Sequence, residues 1–401
     1  MSQNQRRRIG ILTGGGDCPG LNAVIRAATK SAIYLGYEVV GFRKGYEGLA
    51  DADVMELTLE NTASILDQGG TILGSTNKGR FSAKVGHDES RKIAPELIQL
   101  VQKNVEELAI DGLICIGGDG SLSIAQQLFE SGVPCVGVPK TIDNDLGCTA
   151  FTFGFDSAVA CAANALDRLH TTAASHERVM VLEVMGRHAG WIALHAGLAG
   201  GGDVILIPEI DWNFENVCAK VLQRKQMGKL FTLVVVAEGA KLPGGGLVTL
   251  DPENKNRQTR LGGIGQIVAD EIAARLATET RCVVLGHLQR GGQPTYFDRC
   301  LSTQYGAHAI RLIEERRFGE MVLYAPPEIG SIAISEAVKQ LSKVDPNGAA
   351  VEAARAMAVS FGDTADYHNP FPQSQVESKT FAEQYNVPIS ALSTSTFEDF
   401  D

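Results

Sequence analysis

The chain has 401 residues, a net charge of −11 and 44% apolar residues, more than one hydrophobic core usually serves, so about two domains are expected. That acidic balance excludes nonspecific nucleic-acid binding, and no apolar run approaches the roughly 18 residues of a membrane span. Eight scattered cysteines without a C-x-x-C pair, and no apolar leader, lead us to expect reduced thiols in a cytoplasmic protein.

Arg6-Arg7-Arg8 reads as a solvated flank, and Ile9 to Thr13 as a strand. A glycine turn, Gly14 to Gly20, leads to a helix over Leu21 to Leu35 and a strand over Glu38 to Arg43. This β-loop-α-β start implies a parallel sheet with helices on its faces. The apolar run Leu113 to Ile116, the helix Leu122 to Glu130 and the run Val133 to Val138 repeat the rhythm. It continues with a helix over Ser157 to His170, a strand over Arg178 to Val184 and a helix over Gly190 to Ala199. Strands over Val204 to Pro208, Phe231 to Ala237 and Arg281 to Leu285 follow, then a helix over Cys300 to Glu315. Lys241 to Gly263 is rich in glycine, proline and charge and reads as a surface excursion. Thr364 to Asp401, with six acidic residues and one lysine, reads as a tail.

The turns carry the chemistry. Gly14-Gly15-Gly16-Asp17 follows a strand and opens a helix, where backbone amides can approach a phosphate; a plain structural turn is the alternative. It is neither a G-K-[ST] loop nor a G-x-G-x-x-G loop. Gly117-Gly118-Asp119-Gly120-Ser121 offers amides for phosphate and a carboxylate for Mg²⁺, or else a turn with Asp119 as N-cap. Pro139 to Asp145 follows the next strand, so both loops should leave one sheet edge, where ligands of open α/β sheets bind. Asp143 and Asp145 flank Asn144 and would project to one side of an extended segment, giving a proton acceptor for an attacking alcohol. Asp145 can instead close a turn. Arg178, Arg187, Arg281 and Arg290 sit near strand ends or glycine turns, as phosphate-binding arginines do. Convergent carboxylates, glycine loops and arginines point to phosphoryl transfer.

The chain resembles the 6-phosphofructokinase family in Gly14 to Asn22, Gly45-Tyr46-Glu47-Gly48-Leu49, Gly117 to Ser121, Thr141 to Asp145, Ser175 to Arg178, Met185 to Gly190, and Gly286 to Gly292 with Asp298-Arg299. The resemblance spans Ile9 to about Leu323. It implies an α/β fold of two similar three-layer domains with mostly parallel sheets and the active site in the cleft between them. One domain would take residues 1–153 and about 289–340 and hold ATP, the other about 154–288 and 341–362 and hold fructose 6-phosphate, leaving 363–401 as the acidic tail. The implied reaction moves the terminal phosphoryl group of ATP to the sugar 1-hydroxyl. Asp143 would be the base, with Thr141 and Arg187 also catalytic. Thr141, Ile142, Asp143, Asp145, Met185, Gly186, Arg187, Glu238, His287, Leu288, Gln289 and Arg290 would bind the sugar phosphate. Gly15, Tyr46, Arg80, Phe81, Gly118, Asp119, Gly120 and Ser121 would hold the donor, with Mg²⁺ on Asp119. Arg178 and Arg281 would reach the sugar phosphate of a neighbouring subunit, implying a homotetramer or homodimer.

Two positions bear on the donor. Gly120 matches ATP-using members and leaves room for a third phosphate, whereas the pyrophosphate type has aspartate there; Lys140 matches the pyrophosphate type. A lysine can swing aside and an aspartate cannot, so ATP is expected. Pyrophosphate-dependent transfer is the alternative; lipid or dinucleotide kinases and a non-catalytic sugar-phosphate sensor are remoter ones. Arg26, Lys30, Asp203 and Lys229 match a family effector site, but His170 and Met227 do not, so nucleotide-diphosphate activation should be altered or absent.

Overall fold

The computed structural model describes residues 7–76, 79–81, 84–85, 89–90, 92–249, 261–339 and 341–364. Its first stretch runs β1 (Arg8–Thr13), α1 (Leu21–Tyr34), β2 (Glu38–Phe42), α2 (Tyr46–Asp51), β3 (Val54–Leu57), the short pair β4 (Lys84–Val85) and β5 (Glu89–Ser90), α3 (Pro95–Glu107), β6 (Ile110–Gly117), α4 (Asp119–Glu130) and β7 (Cys135–Pro139). There follow α5 (Phe155–His176), β8 (Val179–Val184), α6 (Trp191–Ala199), β9 (Val204–Leu206), α7 (Phe214–Gln226), β10 (Thr232–Ala237), α8 (Ile264–Leu276), β11 (Thr280–Val284) and a 3-10 turn, Gly286–Arg290. The chain then returns through α9 (Tyr296–Glu314), β12 (Glu320–Ala325), β13 (Glu328–Ala333), α10 (Ile334–Ala337) and α11 (Ala349–Ala356).

Two sheets result. The larger has the order β13-β12-β7-β6-β1-β2-β3 and the smaller the order β11-β8-β10-β9. Pairing is parallel throughout the smaller sheet and along β12-β7-β6-β1-β2; only β3 and β13 run antiparallel, at the edges. Strands buried on both faces read as unbroken apolar runs, which is why Ile9–Leu12 and Leu233–Val236 were legible. One apolar core joins inner residues of both sheets, among them Ile9, Ile114, Leu182 and Val235. Two further clusters pack the outer face of each sheet, so each sheet has helices on both sides.

Several elements were not expected. Helix α3 starts with Pro95 in its first turn and buries Val101 and Val105, and its buried Asn104 donates to Leu49 O and Ala50 O at 2.9 and 2.7 Å. Helix α7 is capped by Asn213, whose side chain accepts the Asn216 amide at 2.8 Å. Helices α5 and α9 start earlier than their apolar patterns suggest; Thr295 caps α9 by accepting the Asp298 amide. The basic flank is not merely solvated: Arg8 lies in β1, 2.7 Å from Glu38, and Arg7 lies 2.8 Å from Glu314. Residues 250–260 of the Lys241 to Gly263 excursion and nearly all of the tail, with Arg6, lie outside the described residues.

Candidate active site

Because β1, β6 and β7 are parallel neighbours, their following loops leave one edge. Gly14 N donates to Ile116 O at 2.8 Å, and Lys140 N donates to Gly117 O at 2.9 Å. A Cβ on Gly15 would sit 3.2 Å from Ser121 Oγ and 3.5 Å from Lys140 Nζ, and its φ of +77° favours glycine. The Gly14 loop, the Gly117 loop and Lys140 therefore meet. Lys140 is buried and donates its ammonium to Gly16 O. Burial pushes its pKa down.

Gly118, not Asp119, is the N-cap of α4, and no side chain caps that end; Asp119 is the first helical residue. Nothing lies within 4 Å of a Cβ built on Gly120. A cavity of about 320 Å³ opens between Gly15, Gly16, Asp17 and the segment Thr71, Gly74, Ser75. That second wall was missed from sequence. Ser75 donates to Gly15 O and Thr13 to Gly74 O, the latter at 2.8 Å. The signal available was the glycine-rich run Gly69 to Ser75. Of the other donor-side residues, Tyr46 is buried, donating to Ser121 O at 2.7 Å, with its ring 5.8 Å from that of buried Phe81. Arg80 is held by Glu47 and Asp51 at 2.7 and 2.6 Å.

The Thr141 to Asp145 segment is bent rather than extended. Asn144 has φ +51°, and its side chain locks that bend by accepting from Thr152 N at 2.8 Å and donating to Ala150 O at 3.3 Å. Asp143 N donates to Thr141 Oγ1 at 3.1 Å. Asp143 Oδ1 is buried with no hydrogen-bond partner among the described residues. Burial raises the Asp143 pKa, while Arg290, Lys140 and Arg187 pull it back. Asp145 is pushed up to about 7 by burial and by the charges of Asp143 and Asp119. Three acids thus share one electrostatic neighbourhood. Ile142 is buried in the core.

The smaller sheet delivers its own edge. Glu238 N donates to Val184 O at 2.8 Å, Gly239 N to Gly186 O at 3.0 Å and Leu285 N to Glu183 O at 3.0 Å, so the turns after β8, β10 and β11 lie together. Burial and the charges of Asp143 and Glu183 push Glu238 up to about 7; Arg187 and Arg290 oppose them. Arg290 crosses to the first edge and donates to Asp17 O at 3.2 Å, and a Cβ on Gly16 would run into its guanidinium at 2.3 Å. His287 is exposed, and so is Leu288 at 68%. Gln289 is wholly buried, and its side chain accepts the Met185 amide at 2.7 Å, so it holds the Met185 turn from within.

Arg178 and Arg281 do not join this edge. They sit at the entry of β8 and of β11, the opposite end of the same sheet, and share Glu279 at 2.8 and 2.7 Å. Six residues of strand at about 3.3 Å each separate Arg178 from Met185. The eight cysteines are all unbridged, and burial pushes Cys18, under the Gly14 loop, up to about 12, which leaves it inert. Among the described residues no helix is long and apolar enough to cross a membrane, and no three His, Cys, Asp or Glu side chains form a metal-ligating group.

A family profile described as Phosphofructokinase matches residues 8–313. An ATP-dependent 6-phosphofructokinase of Chloroflexus aurantiacus is 50% identical over 361 residues, covering 90% of this chain and 99% of the relative. A pyrophosphate–fructose 6-phosphate 1-phosphotransferase of Streptomyces coelicolor is 47% identical, covering 84% of this chain and 96% of the relative. The crystal structure of Pichia pastoris phosphofructokinase in the T-state superposes with a TM-score of 0.71 at 32% identity, covering 84% of this chain and 38% of the Pichia chain.

Proposed function

The chain belongs to the phosphofructokinase family, and we propose that it transfers the terminal phosphoryl group of ATP to the 1-hydroxyl of fructose 6-phosphate, giving fructose 1,6-bisphosphate and ADP. One observation carries this reading: Asp143 presents a buried carboxylate oxygen without a partner, with cationic Arg290, Lys140 and Arg187 close enough to act on its charge. Such a group accepts the hydroxyl proton as the alcohol oxygen attacks phosphorus, and Arg187 and Arg290 offset the charge that develops. Thr141, bonded to the Asp143 amide, holds the base in place. Met185, Gly186, Glu238, His287 and Arg290 form the sugar-phosphate side; Gln289 supports it from below.

The open space above Gly120 supports ATP as donor, since a third phosphate has room there. The relatives carry both donor names at similar identity, and this local geometry supports ATP. The surplus of acid at Asp119, Asp143 and Asp145 suits Mg²⁺, which takes one or two carboxylates alongside phosphate oxygens. Asp119 would hold it, and the bound metal supplies neutralisation of phosphate charge. We further propose the two-domain division given above, a cytoplasmic setting, and a homo-oligomer in which Arg178 and Arg281 serve a neighbour's sugar site. A coupled assay with fructose 6-phosphate and either ATP or pyrophosphate tests the reading. Turnover with ATP is expected, and none with either donor would overturn it.

A further inference from the structure

The segment Leu341–Val344, which the reading above leaves without a task, touches both substrate edges. Leu341 bridges Leu146 in antiparallel fashion, and Ser342 N donates to Asp145 O at 2.8 Å. One residue on, the connection turns to the sugar side. Trp191 Nε1 donates to Ser342 O at 3.3 Å, and Val344 N donates to Glu209 Oε1 at 2.9 Å. The same Glu209 carboxylate accepts Gly190 N, at 3.0 Å on Oε1 and 3.1 Å on Oε2. Gly190 ends the turn that carries Met185, Gly186 and Arg187 and is the N-cap of α6. A Cβ there would fall 2.9 Å from Glu209 Oε2 and 2.4 Å from Ile207, so the turn is seated directly on this carboxylate.

We propose that Glu209 and the strap 341–344 position the Arg187 turn against the Asp143–Asp145 loop, so that the sugar-binding and proton-accepting groups keep one spacing. The strap links these two turns through main-chain and carboxylate hydrogen bonds without passing through a proposed substrate group. Hydrogen bonds of 2.8 to 3.1 Å join Ser342 to Asp145, Val344 to Glu209 and Glu209 to Gly190, and the chain itself carries Ser342 to Val344 through Lys343. Glu209 is a positioning residue: it acts through the Gly190 turn and reaches no substrate itself. This inference rests on the proposed reaction, because it needs a sugar phosphate at the Arg187 turn.

Steady-state rates over a grid of fructose 6-phosphate and ATP concentrations, on the full chain, decide it. Glu209→Leu should raise KM for the sugar phosphate about tenfold or more, the effect of losing a half-buried charge-assisted acceptor, with KM for ATP changed less than about twofold. Glu209→Gln keeps an Oε1 able to accept from both Gly190 and Val344, and should recover most of the affinity. Trp191→Phe, which removes the indole bond to Ser342 and keeps an aromatic ring against the core, should fall between. In a Trp212→Phe background, which leaves Trp191 as the emitting tryptophan, emission should shift on adding fructose 6-phosphate with Glu209 intact or in Glu209→Gln, and shift less in Glu209→Leu. An unchanged sugar KM in a folded Glu209→Leu, or equal losses for both substrates, overturns the proposal. Should Glu209→Leu fail to fold, an unchanged sugar KM in Trp191→Phe overturns it instead. No turnover by the unsubstituted chain would overturn the reaction itself; good turnover with flat variants overturns the strap alone.

Discussion

Replacing Gly120 by aspartate isolates the donor question. Gly120 is in the first turn of α4, outside the left-handed region, and a new Cβ meets no atom within 4 Å. Folding should therefore survive. Exchanging glycine in a helix and adding an acid near its N-terminus both favour the helix, together by about 1 kcal/mol. The donor fares otherwise. A carboxylate about 4 Å from the third phosphate, at an effective dielectric near 20, costs about 4 kcal/mol. That corresponds to roughly a thousandfold loss in kcat/KM for ATP. Pyrophosphate, which lacks that phosphate, should lose far less. The assay couples fructose 1,6-bisphosphate to a downstream dehydrogenase with each donor in turn, alongside a thermal melt. A variant that melts like the parent and keeps ATP activity within about tenfold would refute the steric and electrostatic reasoning.

Asp143→Asn should lower kcat by about 10² to 10⁴ with little change in sugar KM, as expected for a lost base; equal activity with asparagine or serine there ends that assignment. Arg281→Ala should raise KM for fructose 6-phosphate about 10- to 100-fold without changing KM for ATP, the loss of a charge-assisted phosphate contact; unchanged sugar affinity removes the neighbour-subunit role. For pH, Asp145 and Glu238 are pushed to about 7, and Asp298 to about 6, chiefly by burial. The folded protein then holds protons that the unfolded chain releases. This contribution is full below about pH 4 and is lost as pH rises through about 7. The ligand-free melting temperature should fall between pH 5 and pH 8; a rise across that interval contradicts the sign. ADP should leave the rate at low sugar phosphate unchanged. Asp203 is already paired with Arg224 at 2.6 Å, His170 packs on Phe231 and Met227, 69% exposed, brings no charge. A strong ADP stimulation would count against this.

What the sequence determined by itself is the set of strand-and-turn units and the chemistry at their ends. Strands such as Ile9–Leu12 and Leu113–Gly117 are buried on both faces, so each announces itself as a contiguous apolar run, and the glycines after it mark where the chain turns. Those signals are local, and the loops from Gly14, Gly117 and Lys140 meet as read. The tertiary structure decided whatever depends on distant partners. Helix α3 owes its place to the Asn104 bonds with Leu49 and Ala50, and β12 owes its place to Met321 beside Gly137. The left-handed turn at Asn144 exists because Thr152 and Ala150 hold its side chain, which no spacing of aspartates foretells. Gln289 and Leu288 are chain neighbours, yet one is sealed beneath Met185 and the other stands in solvent. Arg178 and Arg187 flank one strand and look alike in sequence, but the strand carries them to opposite ends of its sheet. Residue type sets what a side chain can do; the direction of the strand beneath it sets which ligand it can reach.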